Sequence, residues 1–381
     1  MATRKEVGER RKSLRYEITE GFRRGTLSPG MLVPPVRELA TRHSLSKEIA
    51  HQEIQRLVGE GVLYTIPGAG TFFGHPPTNT GAFFLFVETQ EMDSSTQSLG
   101  FAQRIAELGG ATLVLPIIEA RSRVLDGSMP SLAGVWDSTE GSPPGLPWGP
   151  DRREIARVGF ITHIEDPTYM DAVGLDDYEG GRQATQHLIR LGHKRIAYVG
   201  IHPACIGVPQ SYSWSSLRED GWRSALVESG LDCEGASFHP DDALISDVYE
   251  GASVASNAVE LAVESMTEDI TAVVAANDDT ALLLIRALRR KGVPIKRWPA
   301  LVGFDNQSSA RGHLLTSLHR PLDQVGAAAA TILWDRYRGM NNDPIPLKRL
   351  VPMVLLPRIT SEHGWPMRMP DAPAMLVGAA W

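Results

Sequence analysis

Between residues 9 and 24 the apolar positions Leu14, Ile18 and Phe22 fall four apart, the spacing that lines one face of a helix. A loop over 25–34 (GTLSPGMLVP) leads into a second helical stretch at 36–42. A short turn, 43–45, precedes Ser46, whose hydroxyl suits the N-cap of a third helix over 47–59, and Gly61 closes that helix. The period then changes. Residues 63–66 and 71–73 alternate or run apolar around Pro67–Gly70, which predicts a small β-hairpin. Beyond residue 81 a different pattern begins. Apolar strand-like runs at 82–87, 112–117, 158–162, 195–199, 272–275 and 300–304 alternate with amphipathic stretches at 181–191, 214–229, 249–266, 279–291 and 322–338. Strands alternating with helices predict parallel sheets built from βαβ units, with ligands at the carboxyl ends of the strands.

Helix, helix, turn, helix and hairpin is the layout of a winged helix-turn-helix. Its third helix enters the major groove of DNA, with amino-terminal residues facing base edges. Lys47, His51 and Gln52 project from that helix with donors for phosphates or bases. The bland alternative is that they are solvated surface residues of a small helical subdomain.

Charge changes the picture. The chain of 381 residues carries a net charge of −7, which taken alone argues against a nucleic-acid partner. The mean hides a split: residues 1–75 hold 12 Lys/Arg against 8 Asp/Glu, and residues 76–381 hold the remaining 26 against 37. A basic module is carried by an acidic one. At 42% hydrophobic and 22% charged, the composition excludes a mainly disordered, collagenous or membrane-embedded chain. Cys205 and Cys233 are too few for a disulfide framework and lack metal-site spacing. The charged start MATRKEVGERRKS is no secretory signal, so a cytoplasmic location is expected, with no membrane association.

The segment from Pro34 to Phe73 resembles the winged helix of the gluconate-operon-repressor (GntR) family. The matching elements are Pro34, the run Arg37–Ala40, Leu45-Ser46-Lys47, Leu57-x-x-Glu60-Gly61 and Gly68-x-Gly70-Thr71-Phe72. The resemblance implies that Arg37, Ser46, Lys47 and His51 contact DNA, with Gly70 and Thr71 in the wing. Three positions depart from the family pattern: Pro35 and Ile49 replace usual hydroxyls, and Ala69 stands where the wing tip often carries a basic residue.

Residues 155–360 resemble the effector domains of lactose/galactose-repressor (LacI/GalR) regulators, which are similar to periplasmic sugar-binding proteins. The resemblance rests on VGLDDYEGGRQATQHLIRLGHKRIAYVG, Arg218-Glu-Asp-Gly-Trp222, Asn277-Asp278-Asp279 after VVAA, Val302-Gly-Phe-Asp305-Asn306, Leu315-Thr-Ser-Leu-His319-Arg-Pro321 and Leu356-Pro-Arg358. It implies two lobes joined by three crossovers around a small ligand. The match is poorer over 82–154, where the first lobe looks short and its second helix is hard to find around 121–133. At the matching positions the chemistry suits a polyol. Arg218 offers a fork of donors, Asn277 donor and acceptor together, and Asp305 an acceptor for two hydroxyls. Helix or turn capping is the alternative for Asn277 and Asp305. Trp214 stands where it can stack a sugar ring, near Tyr212. Ser246 and Asp247 replace an aromatic often found in their loop, and His163 is placed to reach in from the first lobe.

No phosphate loop, nucleophile elbow, dinucleotide fingerprint or His-rich metal spacing occurs in the sequence. The paired acids Asp176–Asp177, Asp241–Asp242 and Asp278–Asp279 read as solvated turns or caps rather than acid/base dyads. No catalytic residue, metal or cofactor is expected. The expected fold is α/β: an N-terminal winged helix-turn-helix plus a two-lobed periplasmic-binding-protein-like domain with parallel sheets. Expected boundaries are 1–74 for DNA binding, 75–81 for a linker, 82–360 for effector binding and dimerisation, and 361–381 for a tail. The combination, an arabinose-repressor-type arrangement, predicts a homodimeric transcription regulator, most naturally a repressor of carbohydrate-use genes. Its partners would be operator DNA and a small carbohydrate-like effector. A cytoplasmic sugar-binding protein whose first module holds a protein partner is the alternative, and an α/β enzyme a more distant one.

Overall fold

The computed structural model describes residues 4–23, 30–66, 70–74, 82–88, 94–129, 131–137, 155–161, 170–200, 213–239, 259, 262–362 and 365. The expected linker at 75–81, most of the amphipathic stretch at 249–266 and the tail beyond Trp365 lie outside them. The chain divides into two compact units: residues 1–161, 167–174 and 322–349 form the first, and 162–166, 175–321 and 350–381 the second.

The first unit begins with three helices, α1 (Arg4–Arg23), α2 (Val36–Arg42) and α3 (Lys47–Gly59), and an antiparallel hairpin, β1 (Leu63–Ile66) and β2 (Gly70–Phe73). Leu14 and Ile18 of α1 pack with Leu39, Ala50, Ile54, Leu57, Leu63 and Phe73 in one buried cluster, which is what the four-residue spacing asked for. The side chain of Phe22 lies outside the described residues. Ser46 caps α3 by accepting the Ile49 N–H at 3.3 Å. The rest of this unit is a six-stranded sheet. Its strands are β3 (Phe83–Glu88), β4 (Ala111–Pro116), β5 (Gly134–Asp137), β6 (Ala156–Ile161), β7 (Asp171–Leu175) and β13 (Lys348–Val351), in the order β13-β7-β6-β5-β3-β4. The pairs β3–β4, β3–β5, β5–β6 and β6–β7 are parallel. Three helices belong to it: α4 (Ser94–Glu107), α5 (Ile117–Leu125) and α10 (Leu322–Tyr337). The helix that sequence reading could not locate around 121–133 is α5, which starts earlier, directly at the end of β4. Pro116 sets its entry, being the last residue of β4 and the N-cap of α5.

The second unit holds β8 (Ile196–Val199), β9 (Ser237–Phe238), β10 (Ala272–Ala275), β11 (Ala300–Phe304), β12 (Thr316–His319) and β14 (Val354–Leu356), ordered β14-β12-β11-β10-β8-β9. All pairs are parallel except β12–β14. Strands β8, β10 and β11 are buried at every position, the continuous apolar pattern of a sheet covered on both faces. The helices are α6 (Asp177–Arg190), α7 (Trp214–Glu228), α8 (Asp278–Arg290) and the short α9 (Ser308–Gly312). The apolar faces of α8 and α9 join the strands in a core that includes Val273, Leu284, Leu288, Leu301, Ala310 and Trp365. No described helix is long and apolar enough to cross a membrane.

Candidate DNA interface and ligand site

The residues expected to touch DNA form a surface of the first unit. Arg37 on α2 and Ser46, Lys47, His51 and Gln52 on α3 are all exposed. The α2–α3 turn bends through Ser44, whose backbone is left-handed (φ 51°) and whose carbonyl accepts from Arg10 Nη1 at 2.8 Å. One expected contact is already engaged: Gln52 Oε1 accepts from Arg11 Nη2 at 2.7 Å. Only its amide nitrogen is left for a base edge, and α1 brings a guanidinium against the recognition helix. In the wing, Gly70 takes φ +125°, and the Thr71 hydroxyl lies 3.2 Å from that of Thr65 across the hairpin. Ala69 lies outside the described residues.

Of the expected ligand residues, Asn277 and Asp305 follow strands β10 and β11 of the second unit, and Trp214 and Arg218 lie on its helix α7. Helices α6 and α7 pack closely because Gly181 faces the backbone of Arg218 and Gly221 that of Tyr178; a side chain at either would strike a carbonyl oxygen. That approach sets Arg218 against the first turn of α6. Arg218 is buried; its Nε donates to Asp177 Oδ1 at 2.7 Å and its Nη1 to the Ala276 carbonyl at 2.5 Å. Its guanidinium also packs against two rings, with centroids at 4.6 Å for Trp214 and 4.2 Å for Phe304. The fork is therefore held in one orientation, with Nη2 left unbonded among the described residues. Burial pushes the Asp177 carboxyl up, opposed by the Arg218 guanidinium.

Asn277 follows β10 in extended conformation, and its Oδ1 accepts from both the N–H and the hydroxyl of Thr280 at 2.8 Å. Its oxygen is thus a helix cap, and its amide group alone is available to a ligand. Asp305 follows β11 with φ +99°, and Asn306 with φ +54°. Left-handed backbone at two successive non-glycine residues is strain of the kind held at binding sites. Asp305 Oδ1 lies 3.0 Å from Arg320 Nε at the end of β12. Asn306 Oδ1 accepts from Arg358 Nη2 at 2.5 Å. Trp214 is half-buried with Arg218 against its ring, so the face that sequence reading offered to a sugar is partly taken. Asp247 and His163 lie outside the described residues.

Sequence reasoning missed four members of this cluster: Asp177, Asp278, Phe304 and Arg320. Two of these correct an expectation directly. Asp176 does cap α6, accepting the Glu179 N–H at 2.9 Å, but its neighbour Asp177 turns inward to Arg218. Asp278 is fully buried; its Oδ1 accepts the Ser317 hydroxyl at 2.8 Å and its Oδ2 the Gln307 N–H at 2.9 Å. Burial pushes its carboxyl up to about 7, with Asp305 and Asp279 adding to the rise against those two hydrogen bonds. The available signal was position: successive residues at a helix start point about 100° apart, so one of an acid pair can cap while the next enters the core. Among the described residues, no group of three His, Cys, Asp or Glu side chains is placed to hold a metal ion.

Comparison with known proteins matches residues 11–73 to the bacterial regulatory proteins of the gntR family, and residues 185–361 to the periplasmic binding protein-like domain. The HTH-type transcriptional regulator CelR of Thermobifida fusca is 33% identical over 188 residues, 48% of this chain and 49% of the relative. The chain thus spans about half the length of that relative. The arabinose metabolism transcriptional repressor of Geobacillus stearothermophilus is 24% identical over 84% of this chain and 89% of its own length. Among solved structures, a CelR–cellobiose complex has a TM-score of 0.54 at 22% identity, covering 86% of this chain and 99% of that one. A lac repressor dimer bound to operator and an anti-inducer has a TM-score of 0.53 at 17% identity, covering 74% and 95%. At these identities the structural likeness speaks for the fold. The chain thus joins a gntR-family helix-turn-helix domain, over residues 11–73, to a periplasmic binding protein-like domain, over residues 185–361.

Proposed function

We propose that this chain is a one-component transcription regulator, a repressor of carbohydrate-use genes that binds operator DNA as a homodimer and answers to a small sugar-like effector. The carrying observation is the contrast in state of its two polar clusters within one chain. Arg37, Lys47 and His51 stand exposed on a gntR-family domain, whereas Arg218 is held by Asp177, Ala276 and two rings at the carboxyl ends of parallel strands. The first arrangement suits a polyanion, the second a polyol that needs a few fixed donors and acceptors. Relatives named as sugar regulators, among them the arabinose and sucrose operon repressors, support the effector class. Arg218 would give a ligand Nη2, Asp305 would accept from hydroxyls, and Asn277 would donate through its amide. No catalytic role is assigned to these groups.

The mechanism is a shift of population: ligand favours one disposition of the sensor, and two recognition helices then no longer match half-sites about one turn (~34 Å) apart. The test is a gel shift with DNA from upstream of the chain's own gene, combined with a thermal-shift screen of pentoses, hexoses and their phosphates. A salt-sensitive complex whose stability changes with one of those sugars is expected. Absence of any sequence-preferring complex with or without sugars would sink the reading.

A further inference from the structure

The winged-helix hairpin has two faces, and the alternation of side chains along a strand assigns them. Leu63 and Phe73 are direct partners and join the helical core. The next pair, Tyr64 and Phe72, points the other way, its rings stacked 5.6 Å apart. In a hairpin that serves only a three-helix module this second face meets water. Here Tyr64 is 4% exposed and Phe72 fully buried, in a core shared with Leu85, Val87, Leu113, Leu115 and Val135 of the first-lobe sheet.

The backbone closes the same junction. Strand β4 is the edge of the six-stranded sheet, with outward N–H and C=O groups that need partners. The segment 30–32 supplies them: Val114 N–H donates to the Gly30 carbonyl at 2.6 Å, and Leu32 N–H to the Val114 carbonyl at 3.2 Å. On its other side the same segment meets β2, with Gly30 N–H on the Phe73 carbonyl and Val33 N–H on that of Thr71, both at 2.8 Å. The Tyr64 hydroxyl donates to the Thr112 carbonyl at 3.2 Å. Gly30 has φ +83°, and a Cβ there would strike the same Thr112 carbonyl oxygen, so the junction has room for glycine alone.

We infer that the winged helix is a rigid extension of the first lobe, joined by this strand addition, and that the junction carries movement of the lobe to the recognition helix. Hydrogen bonding runs without a break from β4 through 30–32 into β2 and β1, and the apolar pair beside it excludes water. The junction uses the back of the hairpin and leaves Arg37, Lys47, His51 and Gln52 exposed, so the joined state is open to DNA along α3. The transmission half of the inference rests on the proposed regulatory function; the rigid junction does not.

The test is a distance distribution between spin labels on the full chain, by pulsed electron paramagnetic resonance. Labels go on Gly59→Cys at the end of α3 and Leu125→Cys at the end of α5, with Cys205→Ser and Cys233→Ser as background. Space around Gly59 is open and Leu125 is 73% exposed, so neither label disturbs packing. Dilution into excess unlabelled chain restricts the signal to one protomer. A distribution no wider than that of a control pair inside the lobe, Glu107→Cys with Leu125→Cys, is expected. Gly30→Val should broaden it several-fold. A broad distribution in the unaltered junction would overturn the inference, whether or not Gly30→Val folds. Adding the upstream DNA should leave the distribution narrow; broadening on binding would overturn the transmission role. Failure to bind DNA at all would fall on the proposed function, with the free-chain distance still deciding the junction.

Discussion

The recognition helix and the Arg218 cluster both carry polar and charged residues, yet the first holds Lys47 and His51 open to solvent and the second binds its members to one another. Lys47 and His51 are exposed, whereas Arg218 and Asp278 are buried with their partners in place. The difference matches what each has to meet. A phosphate backbone is recognised by charge that can be desolvated on contact, and flexibility there does little harm. A small neutral ligand supplies few interactions, so its donors and acceptors must be oriented beforehand. Substitution should therefore cost function without stability in the first region, and both together in the second.

The sharpest separation is expected from Arg218→Ala. It strips a buried carboxylate, Asp177, of its partner, which costs about 3–5 kcal/mol in denaturant melts and removes any sugar-dependent thermal shift. A melt unchanged within error would mean that the cluster is not the fixed site described. The next effect is a pH dependence from Asp278. Its folded carboxyl sits near 7, above the ordinary value of 3.8, so the folded chain holds a proton that the unfolded chain releases between those values. Stability from this group is present in full below pH 4 and is lost as pH rises through 7, by at most about 1.4 kcal/mol per unit. Asp278→Asn keeps an acceptor for the Gln307 N–H and removes the titrating proton, and should flatten that slope between pH 4 and 7.

Smaller effects probe the first unit. Tyr64→Phe deletes only the hydroxyl bridge to Thr112 and should lower stability by about 1 kcal/mol, a loss that would not occur if the hairpin's second face were solvated. Lys47→Ala should change stability by less than about 0.5 kcal/mol. It should weaken DNA binding across sequences and reduce the salt slope of log K by about 0.9 for one lost phosphate contact. A melt that fell by several kcal/mol in Lys47→Ala would erase the contrast between the two regions.

Much of this was legible in residue patterns. The spacing of Leu14 and Ile18, Ser46 as a cap and the hairpin around Pro67–Gly70 placed the winged helix. The continuous apolar runs at 272–275 and 300–304 placed strands of the second sheet. Arg218, Asn277 and Asp305 were found by their resemblance to a family; Asn277 and Asp305 follow β10 and β11, and Arg218, on α7, reaches the Ala276 carbonyl after β10. What was not legible depends on long-range pairing. Nothing local distinguishes Asp177, which meets a guanidinium 41 residues away, from Asp176, which caps a helix. Helix α5 follows β4 without a connecting loop, so its one local start signal, Pro116, sits inside an apolar run that reads as strand. The second apolar face of the hairpin could be read from Tyr64 and Phe72, but its partners at 85, 87, 113, 115 and 135 could not.

Coupling between sugar and DNA is measured by fluorescence anisotropy of labelled DNA from upstream of the chain's own gene, titrated with the full chain in the presence and absence of each sugar in the thermal-shift panel. Sequence-preferring binding that weakens with salt is expected, with an affinity altered at least tenfold by the sugar that shifts the melt and loss of that alteration in Arg218→Ala. An affinity for DNA that no sugar changes, while one of them binds the chain, would contradict the coupling.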